Sequence, residues 1–129
     1  MNLLNLMYVA VGGAVGAMAR FTVSEYIARF NATGFPFGTF AVNVLGSLML
    51  GAWIAVVATM APSKVKDLHL LLAVGFLGGF TTFSAFSMDA FMLVERGLHG
   101  QAFFYVFGSV VLSVLALVGG MWLVKLAAG

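Results

Sequence analysis

The chain has 129 residues, of which 63% are hydrophobic and only 8% are charged. Soluble domains carry about 25% charged residues, so this composition excludes them and is typical of an integral membrane protein. The net charge of +2 comes without a dense basic cluster, which predicts no nucleic-acid partner, and the lack of cysteine excludes disulfides and thiolate metal sites.

Four apolar segments joined by short turns are predicted to cross the membrane, since each crossing takes about 20 residues. Together they form one all-α domain over residues 1–129, with segments at about 3–30, 37–60, 68–96 and 101–126. The first segment carries glycine and alanine at 12–19, small residues that let another backbone approach closely. Arg20, towards its end, either places its charge at the membrane interface or draws anions into a vestibule.

The second segment contains a polar stripe within its apolar length. Thr39, Asn43 and Ser47 are four residues apart and therefore lie along one face of a helix. Asn43 sits in the middle of the membrane, where polar side chains either bond neighbouring helices or serve a functional site. Asn43 therefore either forms an interhelical hydrogen bond or presents a donor amide to a permeating anion.

The third segment is predicted to break near Gly78–Thr81. Two adjacent glycines cost about 1 kcal/mol each in a helix interior, and Thr81, Thr82 and Ser84 compete for backbone hydrogen bonds. A break in lipid frees carbonyl oxygens that need a partner, and oxygen ligands without nearby carboxylates suit a monovalent hard cation. The sequence therefore predicts a cation at the break.

Two phenylalanines follow the break, and hydroxyls line the fourth segment. Phe83 and Phe86 are three residues apart and share one helical face. They are either core residues or rings whose edges stabilise an anion. A hydroxyl recurs every four residues at Tyr105, Ser109 and Ser113. The serines either bond to carbonyls of their own helix or form, with the tyrosine, a row of donors for an anion. The acidic residues lie towards segment ends without a nucleophile or metal-ligand partner, so no enzyme is predicted.

Three stretches together resemble the Fluc (CrcB) family of bacterial fluoride channels. The first two are Gly12–Phe21 and Gly38–Gly46. The third is Gly-Gly-Phe-Thr-Thr-Phe-Ser-Ala-Phe-Ser, beginning at Gly78. The chain departs from the family pattern at Asp89, where glutamate is usual, and at Ala85, where threonine is common.

This resemblance implies a fold and a function. The fold is an antiparallel, dual-topology homodimer of four-helix subunits in the cell membrane, with the third helix broken. Fluoride would leave the cell passively along two pathways, lined in this chain by Thr39, Asn43, Phe83, Phe86, Tyr105, Ser109 and Ser113, with Arg20 at the vestibule. A structural Na+ would be held at the dimer centre by the backbone carbonyls of Gly78 and Thr81.

Two other classes fit parts of the sequence. A small dual-topology, proton-coupled exporter needs a carboxylate in the middle of a membrane helix, and Glu25 lies too near the end of the first segment. A non-transporting membrane assembly subunit would need only glycine faces and polar stripes. Fluoride efflux from liposomes separates the three.

Overall fold

The computed structural model describes residues 1–129 and is entirely helical. Four helical spans are long and apolar enough to cross a membrane: Leu3–Arg29, Phe37–Val57, Pro62–Glu95 and His99–Ala128. The first, second and fourth are α1, α2 and α6, each a continuous α-helix. The predicted all-α membrane fold with four spanning helices is confirmed.

The third span is built from four pieces: α3 (Pro62–His69), a π-helix (Leu70–Leu77), α4 (Gly78–Phe80) and α5 (Phe83–Glu95). The break between α4 and α5 falls at Thr81 and Thr82, which have extended backbone angles (φ −83°, ψ 158° and φ −153°, ψ 122°). The break therefore exists as predicted, but its position is later than the glycine pair.

Gly78 and Gly79 both remain helical, and at Gly79 the missing side chain allows close packing against α1. A Cβ on Gly79 would come within 2.5 Å of the Gly13 carbonyl oxygen of α1. Thr82 supplies the local signal for a new helix, since its side-chain oxygen accepts from the Ala85 N–H at 3.2 Å. A threonine cap of this kind satisfies one of the free amides at a helix start.

The spans pack in two closely approaching pairs, both set by glycine. In α1, a Cβ on Gly12 or Gly16 would overlap the backbone of the π-helix at Leu71 and Phe76. In α2, a Cβ on Gly51 would overlap the Leu117 carbonyl of α6, and Gly120 meets Leu48 in the same way. Small residues at such crossings allow the backbone contact that drives helix association in membranes.

Alanine at Gly16 is expected to destabilise the fold by about 2 kcal/mol or more, since the new methyl group overlaps a backbone carbonyl that cannot move alone. Gly119→Ala is the matched control, because a Cβ there meets nothing within 4 Å and alanine gains about 1 kcal/mol of helix propensity. Unfolding in a graded series of denaturing detergent would measure both variants. Equal stability of the two would contradict the glycine-packing interpretation.

The interior of the single chain is small. Only 15 of 129 residues are buried, so most apolar side chains lie on the outside of the chain. One buried cluster joins Phe86 and Leu93 of α5 to Ala102 and Tyr105 of α6. This cluster fixes the position of the helix that follows the break.

Candidate functional site

A groove of about 420 Å³ opens on the surface beside the helix break. Residues of α2, the third span and α6 line it. It collects seven of the residues predicted to line the pathway or to bind the cation: Asn43, Gly78, Thr81, Phe83, Phe86, Ser109 and Ser113. No Lys, Arg, Asp or Glu lines the groove, so its polar groups are neutral amides, hydroxyls and backbone.

Asn43 ties α2 to the break through both atoms of its amide. Its Oδ1 accepts from the Thr82 N–H at 2.8 Å, and its Nδ2 donates to the Thr82 carbonyl at 3.0 Å. In a continuous helix the Thr82 N–H would bond to the Gly78 carbonyl, so Asn43 replaces that hydrogen bond. An amide nitrogen has two donors, and the second N–H of Asn43 remains for a ligand in the groove.

The backbone oxygens at the break fit the predicted cation chemistry. The Gly78 carbonyl has lost its helical donor to Asn43, and the Thr81 carbonyl accepts no hydrogen bond within the chain. The chain holds no group of three or more His, Cys, Asp or Glu side chains arranged to bind a metal ion. Neutral oxygens in this setting suit a hard monovalent cation.

The two phenylalanines after the break differ in exposure. Phe83 is 79% exposed at the groove, whereas Phe86 is 9% exposed. Their ring centroids are 5.3 Å apart at an interplanar angle of 43°, and Phe86 lies 5.3 Å from the Tyr105 ring on its other side. The rings therefore form a chain from the open groove to the buried cluster.

Tyr105 is fully buried, and its hydroxyl donates to Asp89 Oδ2 at 3.1 Å. The shorter carboxylate at this position therefore still reaches Tyr105. At Ala85, the backbone N–H bonds to the Thr82 side chain, so α5 is capped without a hydroxyl at that position. Because the Tyr105 hydroxyl donates to Asp89, it is not the free donor that the four-residue spacing of Tyr105, Ser109 and Ser113 predicts.

Ser109 is 4% exposed, and its Oγ has no hydrogen-bond partner. The expected alternative for the serines, a bond to their own helix, is not made at this position. Ser109 and Ser113 both line the groove from α6. An unpaired hydroxyl in a buried wall is a group that a ligand can satisfy.

Arg20 lies in the second half of α1, which continues to Arg29. Its Nε donates to the Gly79 carbonyl at 3.0 Å, so its charge is used to satisfy a carbonyl of α4 beside the break. Three predicted pathway residues, Arg20, Thr39 and Tyr105, do not line the groove. The structure therefore separates these three from Asn43, Phe83, Phe86, Ser109 and Ser113, which do.

The family model described as "CrcB-like protein, Camphor Resistance (CrcB)" matches residues 7–121. The chain belongs to the CrcB family. It is 43% identical over 120 residues to a protein of Phenylobacterium zucineum, covering 93% of this chain and 94% of that protein. It is 47% identical over 121 residues to one of Chelativorans sp., covering 94% and 96%. A protein of Phocaeicola vulgatus is 38% identical over 119 residues, covering 92% and 97%.

Each of these three relatives is named "Fluoride-specific ion channel FluC". The name is that of an ion channel, in agreement with the expectation that this CrcB-family chain is not an enzyme. With four spanning helices, the chain is a multi-pass protein of the cell membrane.

Three contributors to the site in this CrcB-family chain were not predicted from the sequence as pathway or cation-binding residues. Thr82 supplies both backbone partners of Asn43, Ser47 lines the groove, and Asp89 accepts from Tyr105. Ser47 carried a usable signal, since it continues the stripe of Thr39 and Asn43. Thr82 could not be predicted as the partner of Asn43, because it lies 39 residues away in the chain.

Proposed function

We propose that this chain is a fluoride channel that exports fluoride passively and lowers its cytoplasmic concentration. The observation that carries the proposal is the close likeness, over more than nine-tenths of each chain, to proteins named as fluoride-specific ion channels. The shared length covers all four spanning helices, so the likeness extends to the whole site.

The groove supports this proposal chemically. A dehydrated anion needs hydrogen-bond donors, and the groove offers the second Asn43 N–H and the hydroxyls of Ser109 and Ser113. Phe83 and Phe86 add apolar walls whose ring edges carry partial positive charge. Neutral donors bind an anion without holding it permanently, which conduction requires.

Fluoride efflux from liposomes containing the pure protein tests the function. With a potassium gradient and valinomycin to compensate charge, a channel releases fluoride without any pH gradient, and chloride release under the same conditions measures selectivity. Efflux that depends on a proton gradient would support a proton-coupled exporter instead. Absence of efflux from correctly assembled protein would leave the non-transporting assembly subunit.

The working unit is proposed to be a homodimer. The groove is open on one side, Phe83 is 79% exposed beside it, and Gly78 is also exposed there. An anion path with one wall would expose its dehydrated ion to lipid, so a second subunit is needed to close it. In an antiparallel pair, the two breaks can meet at the same depth across a two-fold axis and form two equivalent pathways.

The basic residues support insertion in both orientations, since Lys and Arg near membrane ends determine topology. The N-terminal side of the membrane carries three of them: Lys64, Lys66 and Lys125. The other side carries two: Arg29 and Arg96. Arg20 is left out of this count because its side chain donates to the Gly79 carbonyl. Three charges therefore oppose two, and neither orientation is favoured.

A cysteine placed at Gly129 should therefore react in about half of the copies when intact cells meet a membrane-impermeant thiol reagent. The chain contains no other cysteine, so the signal comes from this position alone. Permeabilised cells provide the control, in which nearly all copies should react. Labelling of nearly all or nearly none in intact cells would exclude dual topology.

A structural Na+ is proposed to bind between the two breaks of the dimer. The Gly78 and Thr81 carbonyls, which have no donor within the chain, would hold it, and when bound it would supply positive charge that locks the subunits together. Arg20 satisfies the neighbouring Gly79 carbonyl, so that oxygen is not free to bind the cation.

Exhaustive replacement of Na+ by N-methylglucamine is expected to lower both the dimer fraction and the fluoride flux, because a large organic cation cannot enter a site of backbone oxygens. Size-exclusion chromatography and the efflux assay provide the measurements, and restoring Na+ should reverse both effects. Unchanged dimer fraction and unchanged flux would show that the cation is unnecessary.

A further inference from the structure

Two buried side-chain polar atoms have no hydrogen-bond partner in this chain: Ser109 Oγ and Gln101 Oε1. Both belong to α6, and they lie four residues to either side of Tyr105. Four residues bring side chains back to the same helix face. The two unpaired atoms therefore flank Tyr105, about one turn above it and one turn below it.

Gln101 extends the polar face of α6 beyond the groove. With Tyr105, Ser109 and Ser113 it forms a series at constant four-residue spacing, about 18 Å long at 1.5 Å per residue. The groove reaches Ser113 and Ser109 but not Tyr105, which is fully buried. Gln101 is the next polar side chain on this face of α6 beyond the Tyr105 ring.

The side chain of Gln101 can bind an anion there. Its amide presents an acceptor oxygen on one side and two N–H donors on the other, and rotation about the last side-chain bond exchanges them. A buried acceptor without a donor is energetically unfavourable. Turning the NH2 group into the same position gives a buried donor that a passing anion would satisfy.

We propose that Gln101 is a further fluoride-binding residue of the pathway, beyond Tyr105 at the outer end of α6. The inference rests on the proposed channel function and adds a site to it. The path then has amide donors on both sides of the Tyr105 ring, from Asn43 in the groove and from Gln101 outside it.

The test measures flux against fluoride concentration for Gln101→Met, which keeps the length of the side chain and removes its hydrogen bonds, and for Gln101→Glu, which replaces the donors by a negative charge. The half-saturating fluoride concentration should rise about tenfold for Gln101→Met, as expected for one lost hydrogen bond to an ion. It should rise further for Gln101→Glu. If one variant fails to assemble, the other still decides.

Ser87→Ala is the matched control, since Ser87 is exposed and bonds only to the Phe83 carbonyl of its own helix. Its half-saturating concentration should stay at the wild-type value. Assembled Gln101 variants with wild-type half-saturation, or variants that change only the dimer fraction, would overturn the Gln101 site while leaving the channel function intact. Wild-type protein without fluoride flux would overturn both proposals.

Discussion

Asn43→Asp is expected to reduce fluoride flux at least about 100-fold. The carboxylate can still accept from the Thr82 N–H, but it cannot donate to the Thr82 carbonyl, which Asn43 Nδ2 contacts at 3.0 Å. It also places a negative charge in a groove that otherwise has none. At an effective dielectric constant of about 20, a carboxylate repels an anion about 4 Å away by about 4 kcal/mol, which exceeds a 100-fold effect.

The measurement is initial efflux per assembled protein, after size-exclusion chromatography has confirmed the folded state. Asn2→Asp is the matched control, because Asn2 caps α1 through its side-chain oxygen and aspartate caps a helix equally well. That variant adds the same charge far from the groove and should conduct normally. Normal flux through assembled Asn43→Asp would leave Asn43 as an interhelical tie outside the ion path.

The sequence predicts the spanning helices well because hydropathy alone determines them. The break is only approximately predicted from local signals. Glycine suggests a weak point, yet Gly79 is helical because its missing side chain lets α1 approach at Gly13. The actual break follows from Thr82, whose N–H is taken by Asn43, a partner on another helix. Local helix propensity cannot predict that contact.

Arg20 illustrates the same limit. Its two predicted roles both assumed a position near the membrane surface, since a charge deep in lipid is costly. In the structure its Nε donates to the Gly79 carbonyl, whose helical donor is lost where the chain breaks. The break frees the carbonyl that Arg20 binds, although Arg20 and Gly79 are 59 positions apart in the sequence. No pattern within the first segment could reveal this pairing.

The groove could be predicted more fully, because its residues repeat with helical spacing. Asn43 and Ser47 on α2, and Ser109 and Ser113 on α6, are each one turn apart, so each pair projects from one face. The structure brings both pairs to the same cavity. Thr39 and Tyr105 follow the same spacing but lie outside it, since the cavity ends where the Tyr105 ring is buried.

Phe86→Ile is expected to lower fluoride flux about tenfold or more while the dimer remains assembled. Isoleucine keeps apolar bulk and removes the aromatic quadrupole, so the partly positive ring edge that could face an anion is lost. Phe86 is also the middle ring between Phe83 and Tyr105, 5.3 Å from each centroid. Its loss therefore interrupts the aromatic wall where the groove meets the buried cluster.

A packing defect at Phe86 must be separated from the loss of the ring itself, since the residue is 9% exposed and belongs to the buried cluster. Phe86→Met makes the distinction, because methionine adapts to irregular cavities but has no aromatic ring. If ring edges stabilise the ion, both variants should conduct poorly with similar dimer fractions. Phe91→Ile, at a 63% exposed ring on the same helix, should conduct as wild type. Recovery of flux in Phe86→Met would assign Phe86 to core packing and remove it from the ion path.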